Sequence, residues 1–406
     1  MTDWQAHERA NRAGAALATT ESGETYLYFD TAAAAPPVVA AVEAATDYLW
    51  KTARTGPYLP SLRAEIYAQL DEIRARVAAF MGAKPAELAF TRNGTESISL
   101  VARGLRFEPG DEIIVPDTEM LSNIAIWRMV ANETGAKIVT VEGGTSGLLT
   151  PEAIAAAITD RTRLITFAAM SNVTGAVQPV TEICELAAAR GVLTHVNAAQ
   201  ALGMMPVGLD VWPCDFISAC TRKGLRAIEG SGVLAVRERH LAEMTPMLAG
   251  WWNASFDDAG EVVFPETARR FEAGSPNIPA ILALGAAVDT AHGLGIGRIH
   301  DRVRELTTYA AAKLRELDGA QIYGPADDAD RLGILPFNIA GVDPAKLTLA
   351  LEARGIIIEA GHFMATPILA AFGVERMARV SLHYFNTTEE IDRLIAAIES
   401  ERGTNA

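Results

Sequence analysis

One lysine, Lys223, lies in the stretch CTRKGLRAIEGSGVLAV (220–236), just past an apolar run and ahead of a glycine-rich turn. A lysine so close to a core needs a partner or a depressed pKa, and a depressed pKa makes its amine a nucleophile able to form a Schiff base. The competing reading is a lysine that lays its stem on apolar surface and keeps its ammonium in water. A second stretch, FTRNGTESISLVARGL (90–105), runs from strand-forming sequence through a polar turn into an amphipathic helix. Backbone N–H groups and hydroxyls converge at such a helix start, which makes a cradle for phosphate. The plainer alternative is an ordinary strand-to-helix turn capped by Thr95. Taken together, a cradle, a strand-end lysine and polar residues at other strand ends suit a phosphorylated aldehyde cofactor at the carboxyl edge of a parallel sheet.

Such an edge requires strands that alternate with helices. The apolar runs LAFT (88–91), EIIVP (112–116), KIVTV (137–141), RLITFAAM (163–170), GVLTHVN (191–197), FISAC (216–220) and GVLAV (232–236) are separated by Ala-rich helical segments such as PEAIAAAI and VTEICELAAARG, the latter closing on Gly191. Strands apolar on both faces predict a mainly parallel sheet with helices on each side. After FEAGSPNIPAILALGAAVDTAHGLG a long helix leads to a second unit, in which LGILPFNIAG, GIIIEAG and ARVSLHY read as strands. The expected division is an N-terminal segment (1–40) packing on the small domain, a large cofactor-binding domain (41–294) and a small α+β domain (295–406).

Composition narrows the function classes. The chain has 406 residues, 50% of them hydrophobic, which is enough for a large core. A formal net charge of −15 with no Lys or Arg run argues against nucleic acid and anionic membrane as partners. Asp3, Glu8 and Arg12 interrupt the alanine-rich start, so a leader or membrane span is not expected and a cytoplasmic location is. Three cysteines, Cys184, Cys214 and Cys220, lack metal-ligand spacing, and no metal is expected.

From YLYFDTAAAAPP near residue 26 to RVSLHYFNTTEEID ending at 392, the sequence resembles the class V aminotransferase-like branch of the fold-type I pyridoxal-phosphate enzymes. That branch includes cysteine desulfurases, isopenicillin N epimerase-like proteins and C–S lyases. The resemblance implies pyridoxal 5'-phosphate as cofactor, an amino-acid substrate and a homodimer with shared active sites. It places Lys223 on the cofactor aldehyde with Arg222 beside it, and Asn172 of SNVTGAVQPV against the cofactor. Gln200 of NAAQALG falls on the phenolic oxygen, and Ser275 of RRFEAGSPNIPA on the phosphate of the neighbouring subunit. Arg379 of RVSLHY corresponds to the residue that binds the substrate carboxylate as a bidentate fork.

The departures from the family pattern concern the reaction. Met364 of GHFMATP stands where desulfurases carry their sulfur-accepting cysteine, which sets the expectation that this chain is not a desulfurase. Met120 replaces the His or aromatic ring that stacks on the cofactor, and a thioether cannot shuttle a proton. Asn93 and Gly94, ahead of Thr95, replace the usual Gly and Thr of the phosphate turn. Asn197 of HVNAAQ occupies the place of the carboxylate that pairs with the pyridine nitrogen. A neutral amide can donate a hydrogen bond there but cannot raise that nitrogen's pKa. His195, two residues earlier, reads better as a satisfied core histidine. The resulting expectation is a lyase that performs β-elimination or C–S or C–C cleavage, with an epimerase or aminotransferase as the alternative and a non-catalytic binding protein as the reading from another class. Specificity elements are expected in TARTGPYLPSLR (52–63), AGWWNASFDD (249–258) and GHFMATP (361–367).

Overall fold

The apolar runs form strands because alternate side chains can be buried on opposite faces. The structure, a computed structural model, describes Trp4, Ala6, Glu8, Gly23 and residues 25–404. Its strands are β1 (Leu27–Tyr28), β2 (Leu88–Thr91), β3 (Glu112–Ile114), β4 (Lys137–Val139), β5 (Thr162–Ala168), β6 (Leu193–Asn197), β7 (Phe216–Cys220), β8 (Gly232–Val236), a short β9–β10 hairpin (Ser255–Phe256 and Val262–Val263), β11 (Ala320–Ile322), β12 (Ile334–Ile339), β13 (Ile356–Ile357), β14 (Glu359–Gly361) and β15 (Met377–Ser381).

Seven strands make the main sheet in the order β2-β8-β7-β6-β5-β3-β4. The pairs from β4 to β7 are parallel, and β8 runs antiparallel to both β7 and β2. Ile114, Ile165, Phe167, Val196 and Ile217 pack into one core. Their immediate neighbours Ile113, Leu164 and Phe216 pack into another on the opposite face. That alternation is the mainly parallel, doubly covered α/β sheet expected from the sequence.

A four-stranded antiparallel sheet, β11-β12-β15-β14, has its own core around Phe29, Leu335, Phe337 and Val380. Strand β14 is at its edge. Strand β1 pairs in parallel with β13, Leu27 opposite Ile356, which ties the start of the described chain to this C-terminal unit. The single long helix expected between the units is instead two, Ile278–Leu294 and Ile296–Glu316, bent by 77°. Gly295 lies between them with φ +85, a conformation that ends the first helix. Strand β11 was not anticipated from the sequence. A division at residues 40 and 294 remains our proposal, supported by these separate cores. Most of the 1–40 segment before residue 25 lies outside the described residues. Among the described residues, no single helix is long and apolar enough to cross a membrane.

Candidate active site

The turn after β7 is built on backbone contact. A Cβ on Gly203 would fall 2.4 Å from the carbonyl carbon of Gly224, and one on Gly224 would fall 2.7 Å from Leu202 O. Only glycines allow the segment carrying Gln200 and the segment carrying Lys223 to touch in this way. Arg226, at φ +62, closes the turn by donating its N–H to Lys223 O at 2.9 Å. Lys223 itself is 8% exposed and makes no hydrogen bond or ion pair among the described residues. Burial pulls its ammonium pKa down; the nearby Cys220 opposes the shift, and Arg222 and Arg379 add to it. The amine is buried, so it is not the solvent-reaching lysine that was the competing reading.

The phosphate turn differs from the capped turn anticipated from the sequence. Asn93, not Thr95, is the cap: its Oδ1 accepts the Glu96 N–H at 2.9 Å. Thr95 lies within the first turn of the Gly94–Gly104 helix, its hydroxyl donating to Ser122 Oγ at 3.1 Å. Asn takes the cap because its short amide reaches the N–H three residues on from extended backbone. A Cβ on Gly94 would approach the Cys220 N at 3.3 Å, so this helix start abuts the end of β7 three residues before Lys223. Arg222 donates to Ala33 O and lies 3.9 Å from Glu229.

Asn197 ends β6. Its Oδ1 accepts the Ala199 N–H at 3.0 Å, and its Nδ2 has no partner among the described residues. Gln200 is buried and donates to Ala32 O at 3.0 Å. Half-buried Met120 follows Glu119, a fully buried carboxyl that sequence reading missed. Glu119 accepts the Ala168 N–H at 2.6 Å and Asn123 Nδ2 at 2.8 Å. Asn123 in turn accepts from Trp127 and Thr166, and His195 is held between Thr166 at 2.8 Å and Ser218 at 2.9 Å. Burial pushes the His195 imidazole down to about 3, so it is neutral, a satisfied core histidine.

Burial pushes the Glu119 carboxyl up from 4.5 to about 7, against the opposing pull of its two donors. Between those values the folded protein keeps a proton that the unfolded chain has released, so its stability falls as pH rises through that window. Glu119→Gln is expected to destabilise at about pH 5, because Gln turns one acceptor into a donor facing Asn123 or Ala168. That cost should shrink by about 3 kcal/mol towards about pH 8, since only the native protein incurs the ionisation penalty. Urea unfolding of both proteins at the two pH values checks this, and a cost independent of pH would show that Glu119 titrates as it does in solvent.

Arg379, on β15, is almost completely buried and its guanidinium lies 4.4 Å from the centre of the Phe363 ring. It donates to Asn172 O at 2.8 Å, to Asp30 Oδ1 at 3.1 Å and to Glu359, its cross-strand partner. Its Nε–H is buried without a partner. Burial pushes Asp30 up to about 6; Arg379 opposes this and Glu359 reinforces it. Asn172 Nδ2 donates to Phe363 O at 2.9 Å, and the Leu121 N–H donates to Met364 O at 2.7 Å. The GHFMATP loop is therefore fastened beside both Met120 and Arg379. Phe363 and Met364 have φ +50 and +54, a left-handed conformation costly for side chains of this size.

Asp30, Glu119 and Glu359 were not singled out from the sequence. The available signal was a lone acid inside an apolar run, as in YLYFD and GIIIEAG. Ser275 is exposed, in a groove it shares with Thr91, Gly230, Gly232 and Trp252. Among the described residues no cluster of metal-ligating side chains occurs. The residues fit pyridoxal phosphate: a buried lysine without a partner, a helix start against the strand that carries it, and a spare amide donor at Asn197. The protein is a pyridoxal-phosphate-dependent enzyme.

Residues 27–394 match the family model described as Aminotransferase class-V. The chain is 34% identical over 383 residues to a probable cysteine desulfurase of Methanothermobacter thermautotrophicus, covering 93% of this chain and 95% of the relative. It is 33% identical to a cysteine desulfurase of Cronobacter sakazakii, covering 93% of each chain. The apo structure of a cysteine desulfurase from Thermococcus onnurineus NA1 superposes with a TM-score of 0.88 at 30% identity, over 93% of this chain and 95% of that one. These matches overturn the expectation of a lyase that is not a cysteine desulfurase, together with the epimerase, aminotransferase and binding-protein alternatives. That expectation gave decisive weight to Met364, whose substitution removes one sulfur acceptor but leaves the lysine, arginine and cofactor-holding residues in place. By the extent of the match and by its fold, the chain belongs to the class-V aminotransferase family.

Proposed function

We propose that the chain is a cysteine desulfurase, converting L-cysteine to L-alanine and passing the sulfur to a thiol. The observation that carries this reading is likeness over more than nine-tenths of the chain to relatives bearing that name, with the reactive lysine retained as a buried, unpaired amine. Bound pyridoxal phosphate supplies an electron-withdrawing ring that weakens bonds at the substrate's α-carbon and, through it, the C–S bond at the β-carbon. Lys223, whose ammonium pKa burial lowers, would bind the aldehyde and then move a proton at the α-carbon. The helix start at Gly94 and Thr95, with Arg222, would hold the phosphate. Gln200 would hold the phenolic oxygen, with Asn172 and Met120 beside the ring. Asn197 would donate Nδ2–H to the ring nitrogen without fixing a charge on it, and Arg379 would hold the substrate carboxylate.

The thiol comes from outside the chain. Cys184 and Cys214 are fully buried and Cys220 is 7% exposed, whereas the residue at the desulfurase acceptor position is Met364, 52% exposed. The thiolate attacks the cysteine sulfur, the C–S bond breaks, an S–S bond forms, and the β-carbon takes up the thiol's proton. A homodimer in the cytoplasm is part of the proposal. Exposed Trp251 and Phe256 and the Ser275 groove offer the face through which Ser275 would reach a second copy's phosphate.

Holoenzyme supplied with L-cysteine and dithiothreitol should form alanine and sulfide in equal amounts. Pyruvate and ammonia in place of alanine would sink the desulfurase reading.

A further inference from the structure

The Arg379 guanidinium is already matched. It is one positive charge facing two carboxylates, and the two acids differ in how firmly they are held. Asp30 is 15% exposed and follows β1, whose backbone is fixed by pairing with β13. Glu359 is 38% exposed, on a three-residue edge strand that leads into the left-handed Phe363 and Met364. The Arg379 side chain is 3% exposed, so the guanidinium cannot turn to meet a new anion elsewhere. Phe363 covers a face of the guanidinium and Asn172 O takes a further N–H. Lys223 feels both Arg379 and Glu359, which places the cluster beside the reacting amine.

A substrate carboxylate arriving at this arginine would be a third anion around one cation. Desolvated like charges at hydrogen-bonding distance repel strongly, and the orphaned Nε–H alone offers no bidentate fork. The group able to leave is Glu359, because it is the more exposed acid and sits on the edge strand. We propose that Glu359 is a specificity-determining residue: it holds the position on Arg379 that the substrate's α-carboxylate takes, so that an amino acid binds only by displacing it. This rests on Arg379 being the carboxylate site of the proposed function.

The test uses holoenzyme and two unreactive probes, L-alanine and L-alaninamide, with affinities read by calorimetry. Glu359→Gln should tighten L-alanine by about tenfold, because the incoming carboxylate no longer competes with a fixed charge for a charge-assisted bond. The affinity for L-alaninamide, which has no carboxylate, should stay where it is in the native protein. Glu359→Ala carries the same expectation and guards against an effect of the new amide. Unchanged or weaker L-alanine binding in both variants would overturn the proposal, as would equal tightening of both probes. Arg379→Gln separates this from the underlying reading: if it leaves L-alanine affinity unchanged, the carboxylate site is elsewhere.

Discussion

Lys223→Ala holoenzyme is expected to lose every borohydride-reducible bond to its cofactor and at least about a thousandfold of its turnover. The size of the effect follows from one group serving in two roles. Among the described residues, Lys223 is the only lysine placed at the end of a central strand with its amine buried and without an ion pair. Desolvation depresses its pKa, which favours the neutral, nucleophilic form of the amine. In the proposed function the same amine, once released from the aldehyde, would be the proton carrier at the substrate. No other group replaces it: His195 is enclosed by Thr166 and Ser218, and Met120 cannot carry a proton. Stability should not suffer, because the change deletes a desolvated amine that lacks a partner. Mass spectrometry after borohydride reduction, with a melting curve of the same sample, checks both halves. A retained adduct on the Lys223→Ala chain would place the reactive lysine elsewhere.

Glu272→Ala should lower folding stability by about 3–5 kcal/mol, the cost of stranding a buried charge. Arg74 and Glu272 form a bidentate pair with both side chains 6% exposed, at 2.5 and 2.9 Å. Arg74 also donates to Leu88 O at 2.7 Å and lies over the Phe90 ring at 4.5 Å, while Glu272 accepts the Phe90 N–H at 2.8 Å. The pair thus joins the Pro60–Phe80 helix, the edge strand β2 before the phosphate turn, and the segment leading to Ser275. Removing the carboxylate leaves a buried guanidinium with no counter-charge and Leu88 O as its remaining acceptor, and a Phe90 N–H without its acceptor. Arg74→Met combined with Glu272→Leu should cost less than Glu272→Ala alone, since an apolar pair avoids burying an unmatched charge. Denaturant unfolding at 25 °C measures both, and a Glu272→Ala loss below about 1 kcal/mol would mean that water reaches the pair.

The reaction was the part of this protein that single residues represented poorly. Met364 in GHFMATP removes a nucleophile, and the inference from it to another reaction class assumed that the acceptor must belong to the chain. The structure shows why that assumption was weak. Loop 361–367 is held through its backbone carbonyls, Phe363 O accepting from the Asn172 side-chain amide and Met364 O from the Leu121 N–H, so neither bond depends on the side chain at 364.

Local sequence determined the large sheet, because strands buried on both faces must be short and uniformly apolar, as FISAC and GVLAV are. It placed Lys223 at the end of a buried strand ahead of a glycine turn, but left open whether the amine is a nucleophile or reaches solvent; the reactive role came from the family resemblance and is part of our proposal. The close approach of Gly203 to Gly224, which sets Gln200 beside that lysine, joins segments 21 residues apart that no local pattern links. Only the tertiary structure decided the state of Arg379. Asp30 lies 349 residues away in sequence and Glu359 lies 20 away, yet both meet the guanidinium because β1 joins β13 and β14 pairs with β15. Sequence identifies which charges a chain carries; the strand register determines which of them share a low-dielectric site, where their mutual energies are large enough to select a substrate.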